Sequence, residues 1–316
     1  MPAKRIFIHS VFLFLLPLVA VGFSWSLFGC VLVLLLMLLW RWLISLSNIL
    51  APAKSPELVL ESISASHFVE KVRWCLDRLG VEYHERPSAG AMGAFFAGRT
   101  VPLLHFKTGA VFSRIGNSPE ILRYLWGRYA PTMPAQAEFL RADADALELE
   151  QRIDRVGANL QVWVYFHILN DAELTLHAWG HKETRIAPWQ RFLLPVLRPL
   201  LSFMIRKSFR ITPKNHAKSV EHISALLSDM EARLVDGRRS LLGGATPNYV
   251  DFSFAAINGL WLQPENYGAG AARSVNFSEV TLPAAMSAEI EHWRDSYPLC
   301  TAFMEQLYQE ERLHAS

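Results

Sequence analysis

The sequence predicts an α/β domain followed by an all-helical domain, both placed after N-terminal transmembrane helices. Three observations predict this. Residues Ile6–Leu50 are almost wholly apolar, with Arg41 as the only charge. Between Glu57 and Tyr129, short apolar runs of strand length alternate with segments of helical period. Beyond Pro134 only the helical period remains. A chain of 316 residues holds about two domains and a sizeable core without disulfide staples.

The first segment, residues 1–50, reads as a helical hairpin. One bilayer crossing takes about 20 apolar residues, and this run is roughly twice that. One helix is expected near Ile6–Phe23, a turn near Ser24–Ser26 and a second helix near Leu27–Leu46. A single tilted helix after an interfacial segment is the alternative. Pro17 would kink the first helix, and Trp25, Trp40 and Trp42 would sit at the interfaces. A cleaved signal peptide is not expected, because a second apolar run follows at once. Lys4 and Arg5 precede the run, while Arg41 and Lys54 lie at or beyond its end. Both ends are therefore expected on the cytoplasmic side of a membrane, with the downstream domains facing the cytoplasm. Residues 51–56, APAKSP, read as a linker.

The α/β part is expected at 57–130. Glu57–Ser62 has a strand-like apolar core. After Ile63–Ser66 comes a helix whose Phe68, Val72, Cys75, Leu76 and Leu79 share one face, stopped by Gly80. Glu70 and Lys71 read as solvated charges, and Arg73 as a partner for a carboxylate. VEYHER alternates as a short strand, and Ser88–Gly98 is Gly- and Ala-rich and ambiguous. RTVPLLHF and AVFSR are strands around a KTG turn, and SPEILRYLWGRY is a helix. The helical part, 134–316, is expected to hold Gln136–Val156, Ala158–Leu169, Trp189–Phe209, Ala217–Leu234, Tyr249–Leu262 and Leu299–Arg312. Trp189–Phe209 mixes basic and apolar residues and is expected to pack, although contact with anionic lipid is an alternative.

Composition excludes several functions. A formal charge of +2 argues against a nucleic-acid partner. Three cysteines make neither a disulfide framework nor a four-thiolate metal site. With no CxxC, a dithiol oxidoreductase is not expected. Cys75 falls on an apolar helix face and reads as buried. The 11 histidines show no HExxH; His177 and His181 are spaced for one helix face but lack a third ligand, so no metal site is expected.

Three places carry candidate chemistry. Ser66 lies between a strand and a helix, the position of an N-cap. Its hydroxyl would sit beside the unpaired N–H groups at the positive helix end, where a thiolate or oxyanion is stabilised. Val101-Pro102 precedes a strand: a cis proline there would leave the Val101 backbone facing outward, free to pair a peptide-like ligand, and a trans edge proline is the alternative. Asn117-Ser118-Pro119 opens a helix, with capping as one role and capture of a ligand carboxylate as another.

In this order and spacing these residues resemble the glutathione transferase superfamily, whose first domain is thioredoxin-like and whose second is helical. Lys71-Val72-Arg73 matches its K/R-V-R helix, Val101-Pro102 its V-P, and Asn117–Leu125 its E/Q-S-x-x-I-x-x-Y-L segment. In LLGGATPNYVDFSFAA, residues 241–256, Asn248 and Asp251 match its capping box. The resemblance spans Glu57–Arg312. It departs at Asn117, where Glu or Gln is usual, and at Ser66, which is neither Cys nor Tyr and is similar to the serine-type branches such as zeta and theta.

The resemblance implies glutathione as co-substrate. Ser66 would donate a hydrogen bond to its sulfur, with Ser64 the nearby competitor for that role. Val101 and Pro102 would hold the cysteinyl backbone, and Asn117 with Ser118 the γ-glutamyl carboxylate. Trp163, Tyr165, His167, Trp179 and Trp261 are candidates for the wall of a pocket for a hydrophobic electrophile. The expected function is a membrane-anchored transferase, peroxide reduction or thioether cleavage using the same thiolate. A non-catalytic binding or scaffold protein of this fold is the alternative. Expected partners are glutathione, the electrophile, the lipid bilayer and a second copy of the chain in a homodimer.

Overall fold

In the computed structural model, which describes residues 27–50, 57–90, 92, 101–108, 111–277 and 280–312, α1 spans Leu27–Leu50. Its described side chains, among them Phe28, Leu35, Leu36 and Trp42, are mostly apolar and exposed. Among the described residues, no helix is long and apolar enough to cross a membrane. This corrects the expected membrane location with cytoplasm-facing domains. The first helix of the expected hairpin and the 51–56 linker lie outside the described residues. By packing, the chain divides into two compact units, residues 1–58 with 105–114, and residues 59–104 with 115–316.

The α/β elements follow the predicted order. Strand β1 is Glu57–Ser62, with Leu58, Leu60 and Ser62 buried in alternation. Helix α2 runs His67–Leu79 from Ser66 as N-cap to Gly80, whose left-handed φ of 65° closes it. Strand β2 is His84–Pro87, shorter and later than VEYHER suggested, and lies parallel to β1 with Val59 opposite His84 and Ser62 opposite Pro87. β3 is Leu103–Thr108 and β4 is Val111–Gly116, giving a four-stranded sheet in the order β2-β1-β3-β4. Helix α3, Ser118–Tyr129, follows and packs on α2. A parallel βαβ half and a ββα half sharing one sheet is the thioredoxin-like order. Most of Ser88–Gly98 lies outside the described residues.

The helical part comprises α4 (Pro134–Ala137), α5 (Ala144–Ile168), α6 (Ala172–Ala178), α7 (Pro188–Ser208), α8 (Pro213–Leu234), α9 (Tyr249–Leu262), α10 (Ala284–Ser296) and α11 (Pro298–Glu310). The two segments expected on either side of Gly157 are one helix, α5. Helix α9 is buried along its whole length and packs on α2, α5 and α11. It starts with the predicted capping box: Asn248 Oδ1 accepts from the Val250 N–H, and Asp251 accepts from the Asn248 N–H at 2.8 Å. Helix α7 carries Pro195 and Pro199 in its interior and buries Leu194, Leu201 and Ile205. Packing of this segment agrees with expectation, although Phe192, Val196, Leu200 and Phe203 stay exposed on its other face.

Candidate functional site

The turn between β1 and α2 is built from local backbone bonds. The Ser66 N–H donates to the Ile63 carbonyl at 2.9 Å, and the Ser66 carbonyl accepts from the Glu70 N–H. The Ser66 hydroxyl accepts the Val69 N–H at 3.4 Å, as an N-cap does. That bond uses a lone pair of the oxygen and leaves its proton free for another acceptor. Tyr267 donates its hydroxyl to the Ala65 carbonyl at 3.1 Å and holds the turn from the helical side. Ser64, two residues before Ser66, is buried and receives the Arg185 guanidinium at 3.4 Å.

The peptide bond between Val101 and Pro102 is cis, as the V-P before a strand suggested. Val101 and Ser66 line one cleft of about 400 Å³. Its walls are mostly apolar, with Ile63 and Ala65 of the turn, Val164, Tyr165 and Ile168 of α5, Trp179, and Leu201, Met204 and Ile205 of α7, and they include the polar His67, Gln161 and Ser208. Burial pushes the Tyr165 phenol above its ordinary pKa, so it stays protonated at neutral pH. A cleft of this volume and lining suits a hydrophobic small molecule with few polar contacts. Behind it, Gly90 sits so close to Trp179 that a Cβ there would lie 2.4 Å from the indole. The Ala89 N–H donates to Gln190 Oε1 at 2.8 Å in the same region.

Asn117 and Ser118 open α3. Asn117 has φ 73° and ψ 127°, a sparsely populated conformation, and its side chain makes no cap hydrogen bond. Such backbone outliers cost of order 1–3 kcal/mol and cluster at ligand sites. Ser118 is buried, and its hydroxyl has no hydrogen-bond partner among the described residues. A buried hydroxyl left unpaired at a helix N-terminus is a place for an added acceptor.

Helix α2 is fixed by buried ion pairs, which corrects the reading of Glu70 and Lys71 as solvated. Lys71 is fully buried, with Nζ 2.7 Å from Glu150 and 2.9 Å from Asp154 of α5. A buried ammonium is tolerated only when paired in this way. Glu70 pairs with Arg73 at 2.7 Å and Arg312 at 2.8 Å. Arg73, as expected, meets carboxylates: besides Glu70 it forks onto Glu85 of β2, at 3.1 and 2.7 Å. The Arg73 charge, aided by the Ser62 hydroxyl, outweighs burial and holds the Glu85 carboxyl down to about 2. Cys75 is fully buried, as expected, and burial pushes its thiol up to about 12, where it is not a nucleophile.

The structure thus brings Ser66, Val101, Tyr165 and Trp179 to one cleft. Pro102, Asn117, Ser118, Trp163, His167 and Trp261 do not line it. Trp163 donates to Glu289 at 2.6 Å, His167 lies 2.9 Å from the same carboxylate, and Trp261 donates to Asn258 at 2.9 Å. Polar partners elsewhere in the helical bundle claim these side chains. Arg185 and Tyr267, which support the turn, were missed in the sequence; each is a lone residue without a local pattern to single it out.

No protein-family model matches the chain, and no curated protein matches it. Solved structures do. A glutathione transferase of Methylobacterium radiotolerans, in complex with glutathione sulfonate, is 17% identical, with a TM-score of 0.46, over 82% of this chain and 96% of that one. A rice glutathione transferase in complex with glutathione is 17% identical at a TM-score of 0.37, over 80% of this chain and 99% of that one. A maleylacetoacetate isomerase of Anaeromyxobacter dehalogenans, with dicarboxyethyl glutathione and citrate bound, is 19% identical at 0.37, over 75% and 92%.

Proposed function

We propose that this chain is a glutathione transferase-like enzyme of serine type. Glutathione lies along Ser66, Val101 and Ser118, and its thiolate attacks a hydrophobic electrophile held in the adjoining cleft. The observation that carries this reading is the shared cleft: a helix-capping hydroxyl and Val101, the residue before Pro102, line the same apolar space. Ser66 donates its proton to the sulfur and favours the thiolate, with the N-terminus of α2 adding positive potential. The proton lost by the thiol passes to solvent. The sulfur lone pair forms the new bond to the electrophilic carbon while the carbon's bond to its leaving group breaks and that group departs with the bonding pair to solvent; Ser66 itself forms no covalent bond. Val101 pairs with the cysteinyl backbone as an added strand would. The γ-glutamyl carboxylate sits at the start of α3, where the Ser118 hydroxyl gains the partner it lacks.

Calorimetry of the full chain with glutathione tests the reading, repeated with Ser66→Ala and Ser118→Ala. Ser66→Ala should keep much of the affinity while turnover falls and the pKa of the bound thiol rises. Ser118→Ala should weaken binding by about 1–3 kcal/mol. An absence of binding at millimolar glutathione would replace the enzyme by a non-catalytic binding protein. Unchanged turnover in Ser66→Ala would move thiol activation to another group, Ser64 first.

A further inference from the structure

Away from the cleft, three metal-ligating side chains from three helices converge. His167 ends α5, His216 begins α8 and Glu289 lies in α10. His167 Nε2 is 2.9 Å from Glu289 Oε2, His216 Nε2 is 3.4 Å from the same oxygen, and the two Nε2 atoms are 3.2 Å apart. The imidazoles are 4% and 12% exposed and the carboxylate 26%, so the group is sheltered with one side open to water.

Hydrogen bonds cannot pair all three edges of this triangle. A neutral imidazole carries at most one proton at Nε2, and that N–H points at one partner. If both Nε2 atoms carry protons, the nitrogens face each other donor to donor. If one does not, its lone pair faces the carboxylate. One edge is unpaired in either arrangement. A cation at the centre satisfies all three atoms at once. Zinc binds nitrogen and oxygen at about 2.0–2.2 Å, and tetrahedral ligands at that distance stand about 3.3–3.5 Å apart. The observed edges of 2.9, 3.4 and 3.2 Å need only small outward shifts to reach this spacing.

The surroundings hold the ligands in place. Trp163 Nε1 donates to Glu289 Oε2 at 2.6 Å, an outer-sphere bond of the kind that orients ligating carboxylates. The His216 ring stacks on Phe166, with centroids 4.0 Å apart and planes at 20°, and meets His167 edge to face. Two imidazoles and one carboxylate favour zinc over magnesium or calcium, which prefer all-oxygen shells.

We propose that His167, His216 and Glu289 form a zinc site with an open fourth position, joining α5, α8 and α10. No sequence pattern pointed to it, because the ligands are far apart in the chain and share no spacing motif. The test uses the full chain stripped of metal and titrated with Co²⁺ and then Zn²⁺. One equivalent of Co²⁺ should bind with the visible d–d absorption of a low-symmetry site, and Zn²⁺ should displace it and raise the melting temperature. Glu289→Gln keeps an acceptor for Trp163, and His216→Gln keeps much of the bulk of a half-buried side chain. Each should abolish the Co²⁺ spectrum and the zinc-dependent rise in melting temperature, with the far-ultraviolet circular dichroism unchanged. Trp163→Phe should weaken zinc by roughly 10–100-fold with all three ligands present. No stoichiometric binding, or binding undiminished in both Glu289→Gln and His216→Gln, would overturn the proposal.

Discussion

His67, next to the capping serine, shows how one buried side chain sets acid sensitivity. Its Nε2–H donates to the Gly157 carbonyl at 3.0 Å, and it is burial that holds the ring neutral. Burial lowers its pKa from 6.5 to about 4, against the smaller opposing pull of that carbonyl. Between these two values the unfolded chain binds a proton that the folded chain does not. The stabilisation is therefore full above pH 6.5 and is lost as pH falls toward the folded value of about 4. Across that interval each pH unit is worth about 1.4 kcal/mol, so stability should drop by roughly 2.5 kcal/mol between about pH 7.5 and pH 4.5. Urea unfolding at the two pH values measures it. In His67→Gln, which keeps a donor for Gly157, this pH-dependent loss should largely vanish; an unchanged loss would assign it to other groups. The Glu85 carboxyl, held at about 2, titrates below this window.

At the scale of elements, α9 and the segment after it carry the turn at Ser66. Gly259 of α9 sits where a Cβ would lie 2.7 Å from both the Tyr267 ring and the Tyr308 hydroxyl. Both phenols are buried, and Tyr267 is the one that holds the Ala65 carbonyl. Gly259→Ala gains about 1 kcal/mol of helix propensity but overpacks the core by about 1–3 kcal/mol. The net effect should be destabilising and should loosen the turn. A chemical-denaturation midpoint, with faster hydrogen exchange at the Ser66 amide as a second reading, checks it; a stabilised variant would show that the phenols move aside freely. Much of this layer was legible. Gly80, the Asn248–Asp251 box, Pro102 and the start of α3 each carry their geometry in a few adjacent residues. Other parts were not. Helix α10 buries only Met286 and Trp293, too few apolar positions to mark a face. Lys71 looked solvated because its acidic partners, Glu150 and Asp154, come from a distant helix. The zinc ligands are hidden for the same reason, and the cleft wall was half legible, since aromatic residues on α5 serve either the cleft or the bundle.

The larger unit is fastened by charges as well as by apolar packing. Arg312, beyond α11, reaches Glu70 of α2 with both side chains fully buried, and its other arm meets Asp77 at 2.7 Å. The guanidinium also stands 5.5 Å from the Trp74 ring. Removing one member of a buried pair leaves the other charge stranded, at about 3–5 kcal/mol. Arg312→Met should therefore destabilise by that order, and adding Glu70→Gln should recover part of the loss. A double-mutant cycle by urea unfolding measures the coupling. Additive effects would mean that Arg73 alone satisfies Glu70.

Helix α7 divides at its prolines. Pro195 and Pro199 lack the N–H groups that would bond the carbonyls of Arg191 and Pro195, so the helix loses two rungs at its middle. Every cleft residue that α7 supplies, Leu201, Met204, Ile205 and Ser208, lies beyond the second proline. Ser66, which lines the same cleft, belongs to a turn braced separately by Tyr267. Shape selection and the hydroxyl-bearing turn are therefore inherited as separable parts. Under the proposed function, substitutions on the last two turns of α7 would change the guests taken and leave the turn at Ser66 untouched.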